Sequence, residues 1–221
     1  MTTPKCQSEN WATLFRIACS LIRQANANGA SIDHWTFGGG TAMMVQIDHR
    51  ESRDIDIFLS DAQNLSFLDP KTNDFDFEFE PTAYQGDGAR FLKFVFEDIG
   101  EIDFIVAGPL TKTPTTPAQV EGETVQLETI PEVIAKKIHY RGSSISPRDI
   151  FDIAASGEAH SDSIIRELKS HKNAVTIALA AMERLTPSFV SDTIAQLAIK
   201  PKYEPIAKTA LERAKAILLA V

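Results

Sequence analysis

No apolar run in this 221-residue sequence approaches the ~18–20 residues that a helix needs to cross a bilayer. Met1 to Gln7 is polar and lacks the apolar region of a signal peptide, so the expected location is the cytoplasm, with no membrane partner. Cysteine is scarce: Cys6 and Cys19 form no Cys-x-x-Cys pair and stand at no spacing from histidine that would hold zinc. Cys19 falls inside an apolar helical run and is expected to be a reduced core residue. No Lys-Ser or Lys-Thr follows the one triple glycine at the required spacing, which excludes a P-loop enzyme. No repeat period or low-complexity tract is visible.

What remains is an ordinary globular composition, 43% hydrophobic and 24% charged, on a chain long enough for one large domain or two small ones. The net charge of −8 is unevenly placed: residues 1–120 hold 17 acidic and 9 basic side chains, whereas 121–221 hold 13 of each. An acidic first half suits a divalent metal and a metal-bound triphosphate and works against broad attraction to nucleic acid. Contact with RNA would fall to local patches such as Lys200, Lys202, Lys208, Arg213 and Lys215, for which a solvated helix face is the plainer explanation.

The richest stretch runs from Phe37 to Phe58. His34-Trp35-Thr36-Phe37 reads as a short strand and Thr41 to Ile47 as a helix, so Gly38, Gly39 and Gly40 sit at a strand-to-helix turn. Glycines there can take positive φ and let an anion approach backbone amides, with the Thr41 hydroxyl beside them at the helix start. Ile55, Ile57 and Leu59 then alternate with Asp54, Asp56 and Phe58, which places both aspartates on one face of a strand, roughly 6.5–7 Å apart at Cα. That spacing suits a shared Mg²⁺ held by carboxylates and substrate phosphates. Asp103, alternating with Ile102, Phe104 and Val106, is a third candidate if its strand lies beside the first.

Residues ~9–27 should form an amphipathic helix, with Trp11, Leu14, Phe15, Ala18, Leu21 and Ile22 along one side. Phe75, Phe77 and Phe79 alternate with acids and predict a half-exposed strand, and Arg90 to Phe96 with Ile102 to Val106 predict a hairpin. The Pro- and Thr-rich stretch Gly108 to Gly122 reads as a linker. Beyond it, segments near 130–141, 147–157, 160–169, 171–185, 187–198 and 203–220 read as helices. The expected architecture is therefore α+β, residues 1–115, followed by a helical domain, 116–221.

On the helix opened by Ile130-Pro131, Ile130, Ile134 and Ile138 form the buried stripe, Lys137 stands at its edge facing a cleft, and Lys136 turns to solvent. Pro147-Arg148-Asp149-Ile150-Phe151-Asp152 opens another helix with Asp149 and Asp152 on one side. Arg148 suits either a triphosphate or an ion pair that docks the two halves.

Gly39-Gly40-Thr41, then His49-Arg50-x-Ser52-x-Asp54-Ile55-Asp56-Ile57-Phe58, then a Lys-bearing helix, then Arg148-Asp149-Ile150-Phe151-Asp152, resembles the AbiEii-type nucleotidyltransferases, which include toxins of type IV and MenT-like toxin–antitoxin pairs. The resemblance covers about residues 10–155 and implies a polymerase-β-like nucleotidyltransferase fold, a mixed sheet with flanking helices, followed by a helical C-terminal domain that completes the cleft. It implies that Gly39, Gly40 and Thr41 cradle a nucleoside triphosphate with Arg53, and that Asp54, Asp56 and Asp103 hold Mg²⁺ or Mn²⁺. It further implies that Lys137 or Lys136 meets the nucleotide phosphates, that Arg148 and Asp149 complete the nucleotide site, and that Asp103 or Asp152 assists deprotonation. The activity implied is transfer of a nucleoside monophosphate to an acceptor, tRNA or another RNA, by a toxin that a cognate antitoxin protein restrains. Two other readings compete: a carboxylate-metal phosphohydrolase, which gives the glycine turn and Lys137 no task, and a non-catalytic module of the same fold acting through a protein partner.

Overall fold

In the computed structural model, which describes residues 10–221, the N-terminal amphipathic pattern forms α1 (Asn10–Ala27) and buries Leu14, Phe15, Ala18, Leu21 and Ile22. Cys6 lies outside the described residues. Cys19 is a buried free thiol on α1, and burial pushes its pKa up to about 12, which keeps it protonated at neutral pH.

After α1 come β1 (Trp35–Gly38), α2 (Gly39–Ile47), β2 (Ile55–Leu59), α3 (Asn64–Leu68), β3 (Ala83–Gly86), β4 (Phe91–Phe96), β5 (Gly100–Val106), β6 (Thr115–Val120) and β7 (Glu123–Glu128). The strands form one seven-stranded mixed sheet in the order β3-β4-β5-β2-β1-β7-β6. β2 runs parallel to β5 and antiparallel to β1, β1 runs parallel to β7, and β4 and β5 form the expected hairpin. Ile55, Ile57, Leu59, Ile102, Phe104, Leu92 and Phe94 share one apolar core with α1. The period-two pattern of these strands thus buries one face and leaves the other to polar groups.

Two strand expectations change. Phe75 to Phe79 forms no strand, because the Gln24 side chain takes both backbone groups of Asp76, accepting its N–H at 2.8 Å and donating to its carbonyl at 2.9 Å. Phe75 and Phe77 still pack against the core, and β3 takes the sheet edge instead. The stretch read as a linker contains β6, paired with β7 at the opposite edge. Pro117 is tolerated there because an edge strand can present its missing N–H to the open side.

The helical part comprises α4 (Ile130–Arg141), α5 (Pro147–Leu168), α6 (Lys172–Glu183), α7 (Pro187–Ile194), α8 (Glu204–Ala207) and α9 (Ala210–Leu219). Thr129 caps α4, and Ser146 with Asp149 forms a capping box on α5, each helix having Pro in its first turn. Two helices expected at 147–157 and 160–169 are one. Gly157 is not a stop but a notch: a Cβ there would stand 2.5 Å from Cδ1 of Ile217 on α9. The helix expected over 203–220 is split, with Thr209 (φ −127°, ψ 23°) outside helical geometry.

The chain divides into two interleaved compact units rather than at one point near residue 115. One takes in the described residues up to Ala42, Ser52–Gly108 and Thr115–Glu128; the other holds Met43–Glu51, Pro109–Pro114 and Thr129–Val221. The hairpin β6–β7 belongs with the sheet because β7 pairs with β1. In the helical unit, Ile134, Ile138, Ile150, Phe151 and Ile153 lie in a separate apolar core.

Candidate active site

β1 ends at Gly38 and α2 begins at Gly39, so the strand feeds the helix directly. Gly38 pairs with Asp56, Asp56 with Asp103, and Asp103 with Lys93 in successive strand registers. Register partners on adjacent strands project to the same face. Gly38, Asp56, Asp103 and Lys93 therefore form one transverse row on the face away from the α1 core. Asp54, two residues before Asp56, joins that face just ahead of β2, where its Oδ1 accepts the Glu101 N–H at 3.2 Å.

The glycines do more than bend the chain. Gly39 has φ +69°, and a Cβ on it would lie 1.8 Å from Oδ2 of Asp56. A Cβ on Gly38 would lie 2.3 Å from Oε2 of Glu128 and 2.5 Å from the Phe58 ring. Both residues make room for acids. Glu128 is buried, with Oε1 accepting the Thr36 hydroxyl at 2.7 Å, and sequence reasoning missed it because an acid next to a helix cap carries no distinctive pattern. Gly40 stays half-buried at the start of α2, where free backbone N–H groups favour an anion.

Thr41 departs from its expected part. Its side chain is wholly buried and its hydroxyl donates to the Asp54 backbone carbonyl, so it fastens the helix start to the acidic strand. Arg53 is exposed.

Burial raises the Asp103 carboxyl above the ordinary range, against the opposing pull of Lys93, whose Nζ lies 3.2 Å from Oδ2. Burial alone would lower Lys93, but Glu101 and Asp103 outweigh it and hold the ammonium charged. Among the described residues no three His, Cys, Asp or Glu side chains stand together closely enough to hold a metal ion. The expected convergence of Asp54, Asp56 and Asp103 is thus not formed: Asp103 is engaged by Lys93 and Asp54 by a backbone amide. Two carboxylates with positions left for phosphate oxygens and water remain a donor set that fits Mg²⁺, and Asp54 with Asp56 supplies it.

The second constellation builds a different object inside the helical unit. Asp48, at φ 47°, ends α2 in a left-handed turn, and His49 and Arg50 behind it are buried. Arg50 grips Asp152 with Nε on Oδ1 at 2.7 Å and Nη2 on Oδ2 at 2.9 Å. His49 Nε2 lies 2.9 Å from Oδ1 of Asp152, and Lys137 Nζ lies 2.9 Å from Oδ2 of Asp152 and 2.7 Å from Oδ1 of Asp149. His49 Nδ1 is buried without a hydrogen-bond partner. The proton therefore belongs on Nε2, donated to Asp152, because a bare lone pair at Nδ1 is tolerated better than an unpaired buried N–H.

Burial would raise Asp152, but Lys137, Arg50 and the His49 hydrogen bond overcome it and hold the carboxyl well below its ordinary range. Asp149 is likewise lowered, burial being outweighed by Lys137 and the Ser146 hydroxyl. Lys137 is raised, because Asp152 and Asp149 outweigh its burial. Asp152, expected to help remove a proton, is thus wholly buried and saturated by cationic and imidazole partners. Lys137 is fully engaged between two acids, and Lys136, expected in solvent, is buried 3.8 Å from the equally buried Glu132. Arg148 is exposed. His49 and Arg50 stood in the sequence motif without a role, which only their partner on α5 supplies.

A family model described as nucleotidyl transferase AbiEii toxin, type IV TA system, matches residues 21–212. No curated protein matches the chain. Among solved structures, MenT4, a nucleotidyltransferase toxin of Mycobacterium tuberculosis H37Rv, aligns with a TM-score of 0.52 at 16% identity over 100% of this chain and 91% of its own. A Helicobacter pylori protein assigned as a nucleotidyltransferase aligns at 0.48 and 14% identity over 96% of this chain and 95% of its own. JHP933 of Helicobacter pylori aligns at 0.45 and 15% identity over 93% and 90%.

Proposed function

Since the chain belongs to the AbiEii nucleotidyltransferase toxin family of type IV toxin–antitoxin systems, we propose that it transfers a nucleoside monophosphate from a nucleoside triphosphate to a hydroxyl of RNA, with tRNA as the acceptor class. The observation that carries this reading is the seating of Asp56 against Gly39, which puts an acid and an anion-accepting helix start side by side. In this reading the free N–H groups at the start of α2, from Gly39 and Gly40, accept the triphosphate. Asp54 and Asp56 hold Mg²⁺ or Mn²⁺, which when bound neutralises phosphate charge at the α-phosphorus.

The acceptor oxygen attacks the α-phosphorus in line, the bond to the bridging oxygen of the β-phosphate breaks, and pyrophosphate carries away the electron pair. Asp103, on the same face and raised by burial, takes the acceptor proton. Asp152 does not share that task; it orients Lys137 and Arg50. Arg53, exposed just ahead of Asp54, is the guanidinium that this reading gives to the anionic substrate. Among the described residues no helix is long and apolar enough to cross a membrane. RNA and an antitoxin protein are the partners this reading calls for, on the strength of the family.

The test is incubation of the pure chain with each labelled nucleoside triphosphate, Mg²⁺ and total RNA. Label joined to RNA is the expected result. Free labelled phosphate instead means a phosphohydrolase, and no turnover at all means a module that acts by binding.

A further inference from the structure

The row across the polar face carries, on β4, a cation with two acidic partners. Lys93 lies 3.2 Å from Asp103 and also hydrogen-bonds to Glu101, two residues earlier on β5 and on the same face. Its strand neighbours Leu92 and Phe94 are buried in the α1 core, which fixes the backbone, while the Lys93 side chain keeps 28% of its surface exposed. The ammonium is a point charge on a flexible stem, held at its base and adjustable at its tip.

Asp56 and Asp103 are lateral neighbours on parallel strands, about 4.8 Å apart along the hydrogen-bonding direction. Two carboxylates so placed repel one another unless a cation lies between or beside them. Lys93 supplies that charge from the β4 side of Asp103, with its Nζ 3.2 Å from Oδ2.

We infer that Lys93 is a positioning residue, a resident counter-cation that keeps Asp103 out of the metal-holding set, with Glu101 as the second seat for its ammonium. This rests on the nucleotidyl-transfer reading of the same row. The divalent ion is then held by Asp54, Asp56 and substrate oxygens, and Asp103 is kept for the proton.

The test uses the full chain and Mn²⁺ alone, with free ion followed by electron paramagnetic resonance and folding followed by thermal melting. Lys93→Gln is expected to tighten Mn²⁺ binding about tenfold, since it frees Asp103 to join the ion. Lys93→Met, which keeps the apolar stem, should do the same, and Lys93→Arg should stay at the wild-type level. Adding Asp103→Asn to Lys93→Gln should abolish the gain, a dependence that general removal of positive charge would not produce. Unchanged binding in both neutral variants, a gain that survives Asp103→Asn, or no binding by any variant overturns the inference. Wild-type binding indifferent to Asp54→Asn and Asp56→Asn overturns the metal assignment instead, while the coupling of Lys93 to Asp103 is still read from the double variant.

Discussion

Oδ2 of Asp56 occupies the space that a Cβ on Gly39 would fill, at a separation of 1.8 Å. Position 39 also has φ +69°, where a non-glycine residue costs roughly 1–2 kcal/mol before any clash is counted. Gly39→Ala is expected to displace the Asp56 carboxylate. Misplacement by about 1 Å is enough to slow a positioned reaction by ~10²-fold. Rates of label transfer, compared with a melting curve for the same protein, separate this local effect from unfolding.

The bond from the Thr41 hydroxyl to the Asp54 carbonyl gives a second expectation. Thr41→Val keeps the shape and removes the donor, leaving a carbonyl without this partner beside a wholly buried side chain, at a cost of about 1–3 kcal/mol. Thr41→Ser restores the donor and should recover most of that loss. Denaturant midpoints for the three proteins decide it. If Thr41 bound phosphate instead, Val would weaken nucleotide binding and leave stability alone.

How much of this could be read from residue order differs by element, for physical reasons. The glycine turn and the Asp54/Asp56 alternation were legible because both rest on local rules, φ freedom and the two-residue period. The pairing of Asp56 with Asp103 is non-local, and nothing in either segment specifies it, although both strands were visible. Phe75 to Phe79 misled because alternation reports burial on one side, not hydrogen bonding; the Gln24 side chain took the backbone partners that a strand would need. Lys136 and Lys137 could not be separated by helical angle alone. Which lysine is buried depends on acids elsewhere, and here both are, Lys136 near Glu132 and Lys137 near Asp149 and Asp152.

Asp54→Asn and Asp56→Asn are the most direct test of the proposed metal site. Neither carboxylate is fully buried, and amide replacements preserve volume, so melting temperatures should change little. Label transfer should fall below detection in both, and Mn²⁺ binding should weaken in both. Asp54→Asn should show the larger structural effect of the two, because its Oδ1 also accepts the Glu101 amide.

Asp152 sets the pH dependence of the helical unit. Burial raises its carboxyl, but Lys137, Arg50 and His49 prevail, so the folded pKa is well below the unfolded value of roughly 3.9. A depressed folded pKa contributes stability that is complete above the unfolded value and is lost as pH falls below about 4 toward the folded one. Asp149 acts in the same direction. Lys137, raised by the same acids, contributes stability that is complete below roughly pH 10.4 and is lost only as pH rises through its folded value. Asp152→Asn leaves Arg50 and Lys137 buried with too little negative charge, at an expected cost of about 3–5 kcal/mol near neutrality. Denaturant titrations from pH 7 down to about pH 3 should show the gap between wild type and Asp152→Asn narrowing below about pH 4, as Asp152 of the unfolded wild-type chain takes up a proton. Adding Arg50→Met to Asp152→Asn should be much less damaging than the sum of the single changes, because the orphaned guanidinium is removed along with its partner. Additive losses would mean that the two residues act independently, and a gap unchanged with pH would mean that the Asp152 carboxyl has the same pKa in the folded and unfolded chain.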